Sequence, residues 1–169
     1  MPRTSEIHDF LRDAHVPYVV LPHEPAYTAR EEAAATHVPE RGWAKVVVCF
    51  VDGEPVEAVV PATFDVNLDR LGDLTRADVV RVADETELAL LFPECEAGAI
   101  PPLGLLYGLD VFVDVALAAE DEIVFNGGTH TEAIRMRWPD FVASVRPIVG
   151  RFAETHSDRV GEYRLSFRE

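Results

Sequence analysis

Apolar residues recur along this chain with two spacings, one helical and one alternating, and the two interleave. In TSEIHDFLRDAH, Ile7, Phe10 and Leu11 fall at helical spacing behind a Thr4/Ser5 cap, which predicts a short amphipathic helix. VPYVVLPH predicts a first strand. TAREEAAATH sets Thr28 three residues before Glu31, the capping-box spacing, and continues through good helix formers. KVVVCFV and PVEAVVPA flank Asp52-Gly53, a dipeptide that readily adopts the positive φ of a tight primed turn, so they predict a β-hairpin.

Farther along, FDVNLDRLGDL predicts a short helix with Val66, Leu68 and Leu71 inward, and DVVRVA a strand. DETELALLF opens on Asp84 and Glu87 in capping-box spacing and predicts a helix that ends before Pro93. PECEAGAIPPLGLLYGL is too rich in Gly and Pro to continue either regular element. DVFVDVAL, EIVFNGG and AIRMR read as strands, and Pro139 suits the first turn of a helix PDFVASVRPIVGRF. Hairpins interleaved with short helices predict an α/β (mixed, α+β-like) fold on a largely antiparallel sheet. A single domain over 1–169 is expected, with a polar, loosely packed tail at 155–169.

Composition supports one core: 48% of the residues are hydrophobic and 27% charged. Neither a basic leader followed by an apolar segment nor a bilayer-length apolar run occurs, so a cytoplasmic protein without membrane contact is expected. Cys49 and Cys95 show no C-x-x-C spacing and are expected to be free thiols. The net charge of −15 argues against binding nucleic acid by non-specific phosphate neutralisation. That charge is uneven: residues 1–134 hold 25 acidic and 8 basic side chains, residues 135–169 hold 5 and 7. A polyanion would meet least repulsion near Arg135, Arg137, Arg146 and Arg151.

Lys45 is the only lysine in the sequence. In strand register it shares a face with Val47, Cys49 and Val51, while Val46, Val48 and Phe50 face the other way. Its ammonium can reach a substrate carbonyl or phosphate across an apolar floor, or simply extend from a strand end into water. GAIPPLG, Gly98 to Gly104, offers backbone donors stiffened by a Pro-Pro pair, or is a plain connector. FNGGTHT lets backbone at Gly127 and Gly128 approach a ligand or make a turn, with His130 beside it. Asp114 ends an apolar strand, where it can serve a neighbouring loop. The histidines lack H-x-x-x-H or Cys/His ligand spacing, so no metal site is expected. No G-x-S-x-G, G-x-G-x-x-G or P-loop occurs, and no cofactor is expected.

Taken in order, Lys45 opening a strand, the hairpin ending in AVVPA, G-x-x-x-P from Gly98 to Pro102, VFVD and FNGG resemble the YbaK/ProX family over about residues 15–145. These are free-standing aminoacyl-tRNA deacylases related to the editing domain of bacterial prolyl-tRNA synthetase. The resemblance implies a curved, mostly antiparallel sheet flanked by short helices, and metal-independent hydrolysis of the ester on a mischarged tRNA. An aminoacyl-tRNA synthetase is an implied further partner. By carry-over, Lys45 is the key polar residue of the pocket. Gly98, Ala99, Ile100, Pro101, Pro102 and Gly104 form the loop that lines the aminoacyl pocket, and Asn126, Gly127, Gly128 and His130 contribute polar contacts. The acid that some relatives carry after the Gly-Gly turn has no counterpart in register, where Ala133 stands beside Glu132. A non-catalytic binding module of the same fold, and an acidic docking face for a basic protein, are the competing readings.

Overall fold

The structure is a computed structural model that describes residues 4–155. In chain order it contains α1 (Thr4–Asp13), β1 (Val19–Pro22), α2 (Ala29–Ala35), β2 (Ala44–Val51), β3 (Glu54–Pro61), β4 (Asp65–Val66) and α3 (Leu68–Thr75). There follow β5 (Val80–Val82), α4 (Glu85–Leu91), β6 (Asp110–Asp114), α5 (Val115–Ala118), β7 (Glu122–Thr129), β8 (Glu132–Arg137), α6 (Trp138–Val145), β9 (Ile148–Gly150) and β10 (Ala153–Glu154). Most of the expected tail, 156–169, lies outside the described residues.

The β2–β3 hairpin turns where its dipeptide predicts, with φ of 47° at Asp52 and 84° at Gly53. The Asp52 carboxylate also accepts from the amides of Asp78 and Val79, which pins β5 beside β2. The resulting sheet has the order β5-β2-β3-β6-β9. β2 pairs antiparallel with both its neighbours, whereas β3–β6 and β6–β9 are parallel. A second, antiparallel sheet has the order β1-β8-β7, and a short β10-β4 pair completes a mixed, mostly antiparallel architecture.

The two faces of the larger sheet bury different sets of residues. Cys49, Val56, Ala58 and Val60 pack on one face with Leu71 of α3 and Phe152. The opposite face carries Val59, Val111 and Val113 against α1, α6 and the second sheet, and Val48 against Phe92, Ile100 and Leu109. Lys45 belongs to the first face, since its partner across the hairpin is Val60. The alternation within KVVVCFV therefore decides which core each residue joins.

Three elements depart from the sequence reading. DVFVDVAL stops being a strand at Asp114, because the Asp114 carboxylate accepts the Ala116 amide and turns the chain into α5. FDVNLDRLGDL splits into β4 and α3, with Asn67 capping the helix through the Arg70 amide. The helix from Pro139 ends at Val145 rather than running to Phe152: Pro147 disfavours α geometry at Arg146, which adopts φ 53° instead. Ile148–Gly150 is thereby released to pair with β6.

Asp114 is buried, and its second carboxylate oxygen accepts from the amides of Phe152 and Ala153 at 2.9 Å each. One side chain thus joins the end of β6 to the start of β10. Asp114→Ala is expected to cost roughly 2–4 kcal/mol from the cap and the charge-assisted bonds together. Urea denaturation reads that loss directly.

Candidate active site

Lys45 emerges near the start of β2 into a cleft of about 410 Å³ that is lined by Thr28, Ala29, Arg30, Ala62, Thr63 and Asp65. Three local features build this cleft. Thr28 caps α2 by accepting the Glu31 amide, which fixes the first turn of the helix as one wall. The Phe64 amide donates to Pro61 O, folding the segment after β3 back as the other wall. Asp65 then lies in β4, with its Oδ1 3.6 Å from Lys45 Nζ. The Lys45 and Asp65 side chains are 28% and 29% exposed, so the pair is shielded yet reachable. Arg30, the other cation of the cleft, is turned to Glu40 at 3.2 Å.

A second polar cluster lies on the far flank of the same helix turn. Glu32, buried on α2, places Oε1 2.9 Å from His130 Nδ1. His130 Nε2 is 2.5 Å from Ala97 O, and the His130 amide donates to Glu96. Asn126 donates to Gly98 O at 3.3 Å, and the Tyr27 ring stacks at a tilt on the His130 ring, 5.0 Å between centroids. The backbone reinforces these ties, with the Ala26 amide donating to His130 O and the Glu96 amide to Gly128 O. Gly98 holds φ 80°, and a Cβ there would stand 3.5 Å from the His130 ring and 3.9 Å from Tyr27 O.

The protonation of this cluster follows from its geometry. A carbonyl oxygen only accepts, so His130 Nε2 must carry a hydrogen toward Ala97. The Nδ1–Oε1 bond then needs one more proton, held by either partner. Burial pushes the Glu32 carboxyl up, and the bonds from His130 and Asn126 offset this only in part. Burial disfavours the His130 imidazolium, but its bonds to Glu32 and Ala97 and the charges of Glu32 and Glu96 outweigh that and raise its pKa. Both shifts favour retention of the shared proton at neutral pH. The two ring nitrogens of His130 are engaged by the protein itself, so His130 acts in this arrangement as a clamp.

The expected loop divides into two parts. Gly98 comes against Tyr27, next to the Lys45 cleft, whereas Ala99, Ile100, Pro101, Pro102 and Gly104 are all buried. Ile100 and Leu103 join the cores on the sheet face opposite Lys45. Gly98 lies against Tyr27, just before the helix turn that walls the Lys45 cleft, while Ile100 joins the far-side core and lines a separate cavity of about 310 Å³ with Phe92, Cys95, Glu96 and Ala97. Gly127 and Gly128 are buried in the β7–β8 hairpin, with Gly128 at φ 95° and room for a Cβ limited by Ile7 at 3.0 Å. Glu57, beneath Gly104, is fully buried, and burial pushes its carboxyl well above the usual carboxylate range.

Gly104 has no space for a side chain. A Cβ would lie 2.7 Å from Val111, 2.8 Å from Leu109 O and 2.9 Å from Glu57 Oε1. Gly104→Ala is expected to cost about 1–3 kcal/mol through overpacking. An unchanged denaturant slope with a lowered midpoint checks it.

Glu32 and Asp65 were not singled out in the sequence. The signal for Glu32 was an acidic residue beside Ala33 on the inward stripe of α2. Asp65 gave none, because its distance from Lys45 depends on the turn after β3. Among the described residues no group of three His, Cys, Asp or Glu side chains is placed to hold a metal ion. No described helix is long and apolar enough to cross a membrane.

A family profile described as the aminoacyl-tRNA editing domain matches residues 23–143, which include the cleft, the loop and the β7–β8 hairpin. The chain belongs to that family. Its membership ties the protein to tRNA editing. No curated protein matches the chain. Solved structures share the editing-domain fold. The crystal structure of hypothetical protein APE2540 is 20% identical, with TM-score 0.80 over 88% of this chain and 99% of that one. A protein provisionally assigned as a trans-editing enzyme for prolyl tRNA synthetase is 22% identical, with TM-score 0.78 over 91% and 98%. A protein from Marinobacter aquaeolei VT8, provisionally assigned to signal transduction, is 16% identical, with TM-score 0.69 over 87% of this chain and 30% of its own.

Proposed function

We propose that this editing domain hydrolyses the ester linking a wrong amino acid to the 3' end of a tRNA. The observation that carries the reading is Lys45, the only lysine of the sequence, half-buried in a cleft between the first turn of α2 and the segment after β3. Hydrolysis of an activated ester passes through a tetrahedral species whose former carbonyl oxygen becomes negative. A shielded ammonium stabilises that charge more strongly than water does, and the rigid β2 backbone sets its position in advance. Thr28 and Thr63 supply further hydroxyls in the same cleft. Water is the attacking oxygen: it bonds to the carbonyl carbon, the bond to the ribose oxygen breaks, and that oxygen takes up a proton, leaving the free amino acid and the tRNA hydroxyl; the scheme needs neither a covalent enzyme nucleophile nor a metal.

The partners in this proposal are a mischarged tRNA, approached by its aminoacylated end, and a cognate aminoacyl-tRNA synthetase. Arg137 and Arg146 are exposed at the two ends of α6 and offer phosphate contacts, whereas Arg135 is drawn toward Glu122 at 3.8 Å. The test is a deacylation assay over alanyl, cysteinyl, seryl and prolyl esters of tRNA, with Lys45→Ala as control. Release of at least one amino acid by the wild-type protein and not by the variant supports the enzyme. Tight binding of the aminoacylated end without release supports the binding module instead.

A further inference from the structure

Tyr27 is the only exposed aromatic residue among those described, with 69% of its surface open to solvent. It directly precedes Thr28, a wall residue of the 410 Å³ Lys45 cleft, so it sits at the edge of that cleft. Hydrogen bonds hold the chain on both sides of it. The Ala26 amide donates to His130 O at 3.3 Å, the Tyr27 amide to Glu31 Oε2 at 3.2 Å, and Thr28 Oγ1 accepts the Glu31 amide at 3.1 Å. The Tyr27 ring leans on the His130 ring, 5.0 Å between centroids, and His130 is itself clamped by Glu32 and Ala97 O. One side of the ring is thus braced by a ring that is held at both nitrogens, and the large exposed fraction leaves the other side open.

A fixed aromatic ring with one open side is a stacking platform for a planar group, and every nucleobase offers a π-face to it. Holding the ring in place beforehand lowers the ordering cost of binding. The ester of an aminoacyl-tRNA is carried on the ribose of the terminal nucleoside, so the terminal base lies one sugar ring away from it. With the ester at Lys45 and the ribose passing Thr28, the base falls on the Tyr27 side of the cleft. We propose that Tyr27 stacks on the terminal base of the tRNA while Lys45 receives the ester carbonyl. This inference rests on the deacylase reading and adds a nucleobase subsite to it. It also bears on the net charge of −15, because stacking holds the end of a tRNA by its base and needs no basic surface to neutralise phosphates.

The base does not react, so its stacking is the same in the bound ester and in the transition state and acts on KM rather than on kcat. The experiment compares each of the four mischarged tRNAs with the same tRNA ending in an abasic ribose that carries the same aminoacyl ester. The wild type is expected to show about 10-fold higher kcat/KM on the tRNA with its terminal base, the contribution typical of one stacked base. Tyr27→Ala is expected to raise KM for that substrate, leave the abasic one unchanged, and so erase the preference. Tyr27→Phe keeps the ring and should keep the preference. Urea unfolding of both variants checks that the His130 contact is not needed for folding, and the wild-type comparison of the two substrates requires no variant. Equal wild-type values of kcat/KM on both substrates would overturn the inference and leave the deacylase standing. Equal losses on both substrates in Tyr27→Ala would also overturn it, since the ring would then act only by holding His130. No hydrolysis of either substrate would remove the deacylase reading and the inference with it.

Discussion

Lys45→Ala is expected to reduce deacylation by about 10²–10³-fold, the loss typical of removing one preorganised charge-stabilising group. Folding should change little. The side chain is 28% exposed and its partner Asp65 similarly so, and an ion pair of that kind contributes roughly 0–1 kcal/mol. The β2 backbone, which pairs at Lys45 with Val60, is untouched by the substitution. Lys45→Arg should recover only part of the activity, because a planar guanidinium is broader than an ammonium and directs its donors differently. Single-turnover hydrolysis of a mischarged tRNA, run beside thermal unfolding, separates the two effects. Near-normal turnover by Lys45→Ala across the ester panel would defeat the assignment.

The largest loss of stability is expected at Glu32. Glu32→Ala leaves His130 Nδ1 without its buried partner and opens a void inside α2, at an expected cost of about 3–5 kcal/mol. The raised pKa of His130 also sets a pH dependence. A group whose pKa is higher in the folded protein contributes its full stabilisation below the unfolded value and loses it as pH rises through the folded value. The raised Glu32 carboxyl acts in the same direction, because its ionised form is disfavoured by burial. Stability should therefore fall on the alkaline side of the ordinary histidine range. Glu32→Gln supplies an amide N–H to Nδ1 without a titrating proton, so it should be milder than Glu32→Ala and should flatten that alkaline decline. Urea unfolding across neutral and alkaline pH measures both. A decline of the same size in Glu32→Gln would show that the pair is not its source.

Local sequence signals carried far where the interactions were local. The Asp84–Glu87 capping box forms with both its hydrogen bonds, and the Asp52-Gly53 turn closes the hairpin. The alternation in KVVVCFV correctly assigns Lys45 to the face of Cys49. Errors arose where a distant partner decided the outcome. VFVDVAL has strand composition throughout, but the amides that Asp114 accepts end the strand. PIVGRF follows a helix in sequence, yet the free edge of β6 draws Ile148–Gly150 into a parallel strand. The loop from Gly98 to Gly104 reads as one lining segment; the structure packs Ile100 and Leu103 into cores of the far sheet face and leaves Ile100 also on the wall of a cavity of about 310 Å³.

The sequence alone determined most of the elements, the Asp52-Gly53 hairpin and the order of Lys45, Gly98, Pro102 and Asn126 along the chain, because these depend on neighbouring residues and on spacing. Only the tertiary structure decided which groups meet. Lys45 and Asp65 stand twenty positions apart and Glu32 and His130 ninety-eight, and each pair lies within hydrogen-bonding or ion-pair reach only once the strands have paired. The charge and the proton held between such partners depend on burial and distance, two quantities that no local pattern of residues encodes.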